Sequence, residues 1–195
     1  MVRADAAANR LRIIEAAKLI FAEQGVQAEM KEIAARAGLG VGTIYRNFPA
    51  RTDLIVALML SAQEEALDEM NAAASAVTDP LVGLADAFHA YLRVSKRYGW
   101  IMEAWLTGQG IDADAIQRAR LTGEIGDRTE VLVRLLRRGI AEGALRDDLD
   151  VEVTLLILFG SAFPLLHGPM KLDRSLREIG DAALRLFIEG ARVRP

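Results

Sequence analysis

Few residues in this chain are placed to do covalent chemistry. Cysteine is absent, which excludes disulfides, thiolate nucleophiles and cysteine-ligated metals. The two histidines, His89 and His167, make a poor transition-metal set without thiolates to join them. Asp147, Asp148 and Asp150 lack the glycine and terminal glutamate of a calcium loop and read better as a helix cap. Gly108-Gln109-Gly110 is too slight for a phosphate loop and reads as a helix break. No nucleophile–base pair and no rationalised carboxylate pair is present, so the sequence does not read as an enzyme, and neither a metal nor a cofactor is expected.

Recognition chemistry is concentrated in one stretch, Glu29–Phe48, EMKEIAARAGLGVGTIYRNF. Ile33 and Ala37 share the inner face of a first short helix, and Ala34 is small where two helices must cross closely. Gly38 can take the positive φ of a tight interhelical turn, which is costly for other residues. Leu39 and Ile44 anchor a second helix, leaving Val41, Gly42, Thr43, Tyr45, Arg46 and Asn47 facing outward behind Gly40. A short helix offering small and hydrogen-bonding groups near its N-terminus can enter a DNA major groove. Lys31 and Arg51 flank it as candidate phosphate contacts.

Charge distribution agrees with this reading. The net charge is −3, yet residues 1–54 carry eight Lys/Arg against six Asp/Glu, a net of +2, and the remainder carries −5. A small basic reader on an acidic body suits a nucleic-acid partner.

The elements that must position these groups are helical. Leu11, Ile14, Ala17 and Phe21 form a stripe at spacings of three and four, widened by Ile13 and Ile20, with Arg12, Glu15 and Lys18 opposite. Gly25 ends that helix. Helices follow at about 29–37, 41–48 and 51–76, the last with Leu54, Ala57, Leu58 and Ser61 on one face. Thr78-Asp79-Pro80 restarts the chain with a side-chain cap and a first-turn proline. Beyond it lie stripes of Leu81, Leu84, Phe88, Tyr91 and Leu92, then of Leu132, Leu135, Leu136 and Ile140. Asp150 is placed to cap one apolar helix, Val151–Leu166, and a last helix has Leu176, Ile179, Ala183, Leu186 and Phe187 inward. The fold class is therefore all-α, with about nine helices.

The apolar run from Val153 falls short of the roughly 20 residues of a membrane span. It is more apolar than one monomer face needs, which points to a homodimer. The N-terminal segment MVRADAAANRLR has no signal-peptide core.

Residues 10–60 resemble the DNA-binding module of the tetracycline-repressor (TetR) family. The matching residues are Ile14-x-x-Ala17-x-x-x-x-Phe21-Ala22-x-x-Gly25, then Ile33-Ala34-x-x-Ala37-Gly38, Gly42-Thr43-Ile44-Tyr45-Arg46-x-Phe48, and Leu54. The resemblance implies DNA contacts at Thr43 and Tyr45, a groove-entering tip at Val41 and Gly42, and a phosphate contact at Arg51, where a lysine is usual. Three positions depart from the pattern. The segment between Gly25 and Ile33 is one residue short, with Ala28-Glu29 in place of a hydroxyl cap. Asn47 replaces a common histidine, and Ala50 replaces a capping serine.

The resemblance further implies a helix-turn-helix domain over residues 1–55 (motif about 29–48) and a C-terminal helical domain over residues 56–195. That second domain would bind a small-molecule effector and dimerise through the last two long helices. Phe88, Tyr91, Trp100, Met102, Trp105, Phe159, Phe163 and His167 are its candidate effector contacts. The expected function is that of a ligand-responsive repressor on a near-palindromic double-stranded operator, in the bacterial cytoplasm and on the nucleoid. The competing reading is a helical protein-interaction module without DNA binding, which the intact Thr43–Arg46 segment disfavours.

Overall fold

Apolar side chains at three- and four-residue spacing can be buried only if the chain coils into helices that turn one face inward. The computed structural model describes residues 2–25, 27–101, 130–167 and 172–191. Among these residues there are nine helices and no strand: α1 (Val2–Gln24), α2 (Met30–Ala37), α3 (Val41–Asn47), α4 (Arg51–Ser75), α5 (Pro80–Arg97), α6 (Glu130–Ala141), α7 (Val151–Gly160), α8 (Ala162–His167) and α9 (Leu176–Ala191). No described helix is long and apolar enough to cross a membrane.

Helix ends follow local chemistry. Gly25 and Gly143 sit at φ 76° and 71°, the left-handed conformation that closes α1 and α6. Asp79 accepts the Leu81 and Val82 amides at 2.8 and 3.1 Å, so the restart at Pro80 is capped by the aspartate. Asp150 accepts the Val153 amide at 2.9 Å and starts α7. Ser175 and Glu178 cap α9 reciprocally: the Ser175 amide and hydroxyl each donate to the Glu178 carboxylate at 2.7 Å, and the Glu178 amide donates back at 3.2 Å.

The described residues form two units, one built on Val2–Gln63 and Arg97–Ile101, the other on Glu64–Lys96 and α6 to α9. In the first, Ile13, Ile14, Ala17 and Phe21 of α1 meet Ile33, Ala34 and Ala37 of α2, Ile44 of α3, Phe48, and Leu54, Ile55 and Leu58 of α4. In the second, Leu84, Phe88 and Leu92 of α5 meet Leu132, Leu135 and Leu136 of α6, Leu158 of α7 and Leu184 of α9. The two units share α4, whose first half belongs to one and second half to the other.

Three expectations are corrected. Leu11 is 64% exposed: the buried stripe of α1 runs through Ile13, Ile14, Ala16, Ala17, Ile20 and Phe21, and Leu11 lies off it. Leu186 is 76% exposed, its inward place on α9 being taken by Leu184. The apolar run from Val151 is two helices, with a turn at Ser161. There the Ser161 hydroxyl donates to the Leu158 carbonyl at 2.6 Å, and Pro164 has no amide to offer the carbonyl one turn back.

Candidate nucleic-acid interface

α2 and α3 form the helix-turn-helix. Glu29 occupies the N-cap of α2, and the Glu32 carboxylate accepts the Glu29 amide at 3.0 Å in a capping box. The missing hydroxyl cap is thus replaced by a glutamate pair. Gly38 takes φ 64° and its amide returns to the α2 carbonyls, ending the helix and aiming the chain into α3. The equivalent cap before α4 comes from Asp53, whose carboxylate accepts the Ala50 amide at 2.8 Å.

α3 is anchored on one side only. Ile44 and Phe48 are fully buried, while Gly40, Val41, Gly42, Tyr45 and Arg46 are exposed and Thr43 and Asn47 half-buried. Nothing lies within 4 Å of where a side chain at Gly40 would start, so the helix tip is open. No acidic residue interrupts α3. The Asn47 side-chain amide donates to the Thr43 carbonyl at 2.8 Å, so its nitrogen is engaged within the helix.

The flanking cations differ. Lys31 is exposed, with its ammonium 2.8 Å from the Glu29 carboxylate. The hydrogen bond and charge of Glu29 raise its pKa, keeping it a full cation. Arg51 does not project outward: its guanidinium lies over the Phe21 ring at 5.4 Å, and one buried nitrogen, Nη2, has no hydrogen-bond partner. Burial lowers its pKa from the usual arginine value.

Two arginines to which the sequence assigned no part in recognition also bear on this unit. Arg12 donates from Nη2 to the Ala37 carbonyl at 2.6 Å and to the Gly38 carbonyl at 3.3 Å. Arg10 stacks on the Phe48 ring at 4.3 Å and reaches the Asn47 carbonyl at 3.4 Å. Their partners are 25 to 37 residues away, so no local pattern points to them.

The candidate effector residues separate into two groups. Phe88, Tyr91 and Phe159 meet edge-to-face in the second unit, with Phe159 5.7 Å from Phe88 and 5.4 Å from Tyr91. His167 of α8 lies 3.3 Å from the Ser95 carbonyl of α5. Trp100 belongs instead to the first unit, edge-on to Phe21 at 5.2 Å, and its buried indole N–H has no partner. Met102, Trp105 and the side chain of Phe163 lie outside the described residues.

Residues 13–58 match the family "Bacterial regulatory proteins, tetR family". The chain is 27% identical over 191 residues to the HTH-type transcriptional regulator SrpR of Pseudomonas putida, covering 94% of this chain and 85% of that one. A transcriptional regulator of the TetR/AcrR family from Thermobifida fusca superposes with a TM-score of 0.71 at 26% identity, over 94% of this chain and 98% of that chain. The regulator FadR of Bacillus subtilis, solved in complex with stearoyl-CoA, has the same fold, with a TM-score of 0.68 at 22% identity over 93% and 99% of the two chains.

Proposed function

Given that the chain belongs to the TetR family of bacterial transcriptional regulators, we propose that it is a homodimeric repressor that leaves its operator when a small molecule binds the second unit. The observation that carries this reading is the one-sided anchoring of α3. Ile44 and Phe48 are buried, and an acid-free outer face of Val41, Gly42, Thr43, Tyr45, Arg46 and Asn47 stands behind the open tip at Gly40. Thr43 and Tyr45 are assigned to bases or phosphates, and Arg46, Lys31 and Arg51 to phosphates. Residues 1–55 read DNA, and residues 56–195 sense the effector and dimerise.

Two copies present two α3 helices about 34–36 Å apart, one DNA turn, on a near-palindromic site. The apolar side chains that a single copy leaves in water support the dimer: Val153, Leu156 and Ile157 on α7 and Leu186 on α9 are all about half or more exposed. The effector is assigned to the aromatic group Phe88, Tyr91 and Phe159. FadR of B. subtilis, with its stearoyl-CoA, makes a long-chain acyl thioester the first class to try. Such a ligand releases DNA only by binding the non-reading conformation more tightly. The protein performs no catalysis and works in the cytoplasm at the nucleoid.

The test is selection of bound duplexes from a random pool, followed by fluorescence anisotropy on the recovered sequence and on a scrambled one over a salt series. The expected result is an inverted repeat and a steep salt dependence. Equal affinity for the two duplexes at every salt concentration would sink the reading.

A further inference from the structure

α3 cannot hold its own orientation. It has seven residues, against the roughly 12–15 at which an isolated helix becomes marginally stable. Its N-cap glycine offers no side-chain acceptor to the first amides. Ile44 and Phe48 fasten one side of it, and an apolar anchor is non-directional, so rocking about that anchor needs a further restraint.

Two guanidinium groups from α1 supply it at opposite ends. Arg12 Nη2 bridges the Ala37 and Gly38 carbonyls, at 2.6 and 3.3 Å. These carbonyls close α2, where the helix dipole presents its negative end and where a cation is favoured. A side chain on residue 38 would begin 3.0 Å from that nitrogen, so Gly38 serves both to make the turn and to admit the arginine. Arg10 covers the Phe48 ring at 4.3 Å and approaches the Asn47 carbonyl, the last of α3, at 3.4 Å. One arginine therefore holds the entrance to α3 and the other its exit.

We propose that Arg10 and Arg12 are positioning residues for operator recognition: a clamp from α1 that fixes the angle of α3 without itself touching DNA. This rests on α3 being the reading helix, as proposed above. The other use for two exposed cations on a DNA-binding unit is direct contact with phosphates, and salt separates the two. Each phosphate-bound cation contributes about 0.9 to the slope of log affinity against log salt on B-DNA, whereas a clamp contributes nothing to it.

The experiment measures anisotropy of the full-length protein on a selected duplex and on its scrambled counterpart across a salt series, with hydrogen exchange of the free protein alongside. Arg12→Ala is expected to weaken the selected duplex about tenfold or more, with an unchanged salt slope and little effect on the scrambled duplex. Arg12→Lys keeps the charge, but its nitrogen ends one bond nearer the backbone than Nη2, short of the two carbonyls that this single nitrogen bridges, and it is expected to lose about as much. Arg10→Ala is expected to lose about threefold. Arg36→Ala breaks a different tie between α1 and α2, the ion pair with Glu23 at 2.8 Å, and is expected to keep wild-type affinity. Amides of residues 38–48 should exchange faster in Arg12→Lys while those of α5 stay unchanged.

Wild-type affinity in Arg12→Lys, a slope reduced by about one in Arg12→Ala, or unaltered exchange in α3 would each overturn the clamp. If Arg12→Ala fails to fold, Arg12→Lys and the exchange data decide. Should the wild type prefer no sequence at all, the operator reading fails, while exchange in α3 still judges the clamp.

Discussion

α3 and α7 are both short helices with one buried side and one bare side, and their bare sides are made of different matter. α3 buries Ile44 and exposes Val41, Gly42, Tyr45 and Arg46, two of which carry hydrogen-bonding groups and none of which is acidic. α7 buries Thr154 and Leu158 and exposes Val153, Leu156 and Ile157. A helix face that must meet base edges and phosphates keeps its donors in water and its bulk small. A face that must meet another protein surface carries apolar area that costs free energy until it is covered. The same local architecture therefore points to two partners, DNA for α3 and a second copy of the chain for α7, through the chemistry of the residues left outside.

The comparison can be broken in order of expected effect. Phe48→Ala removes a fully buried ring that anchors α3 and is covered by Arg10. It should destabilise the first unit by about 3–5 kcal/mol, seen as a lowered urea midpoint, and abolish operator binding. Leu156→Glu places a charge on the most exposed apolar position of α7. It should weaken self-association by about 30-fold or more, measured by sedimentation equilibrium, while the monomer keeps its helical signal. A variant that stayed as tightly associated as wild type would remove α7 from the interface.

Tyr45→Ala, on the bare side of α3, is expected to cost about 1–3 kcal/mol in operator affinity with no change in melting temperature. That is the reverse of a buried substitution. Loss of stability with retained affinity would place the ring in the core's service. The smallest effect concerns α9, whose N-terminal cap titrates. Hydrogen bonds from the Ser175 hydroxyl and then its amide hold the Glu178 carboxyl below its ordinary value of 4.5. A carboxyl with a depressed folded-state pKa adds stability that is present above its unfolded pKa and lost as pH falls through the folded one. Between about pH 5 and about pH 3, Glu178→Gln should therefore lose less melting temperature than wild type. Parallel decline of the two curves would remove this cap from the acid response.

Much of this was legible before any coordinates. Gly38 between two short apolar patterns specified the turn, and Gly25, Asp79 and Asp150 marked helix ends that the structure bears out. The outer face of α3 could be read because only one side of a seven-residue helix was apolar. The sense of the two caps that depart from the family pattern could not. Glu29 with Glu32, and Ala50 with Asp53, reach the same end by a carboxylate three residues on, and a search for a hydroxyl at the cap overlooks it. Trp100 illustrates a different limit. Its sequence neighbourhood groups it with the aromatic residues of the second unit, whereas it packs on Phe21 of α1.

What the sequence by itself determined is most of the helices, most of their ends, and the outer face of α3, because these depend on periodicity and on chemistry within three or four residues. What only the tertiary structure decided is which edge of each apolar stripe is buried and which distant groups meet. Periodicity places a residue at an angle around its helix but does not say where the neighbouring helix lies, so Leu11 and Leu186 fall in water while Ile13 and Leu184 are covered. The reach of Arg12 across 25 residues to Ala37, and of Arg10 across 37 to Asn47, exists only once three helices have packed.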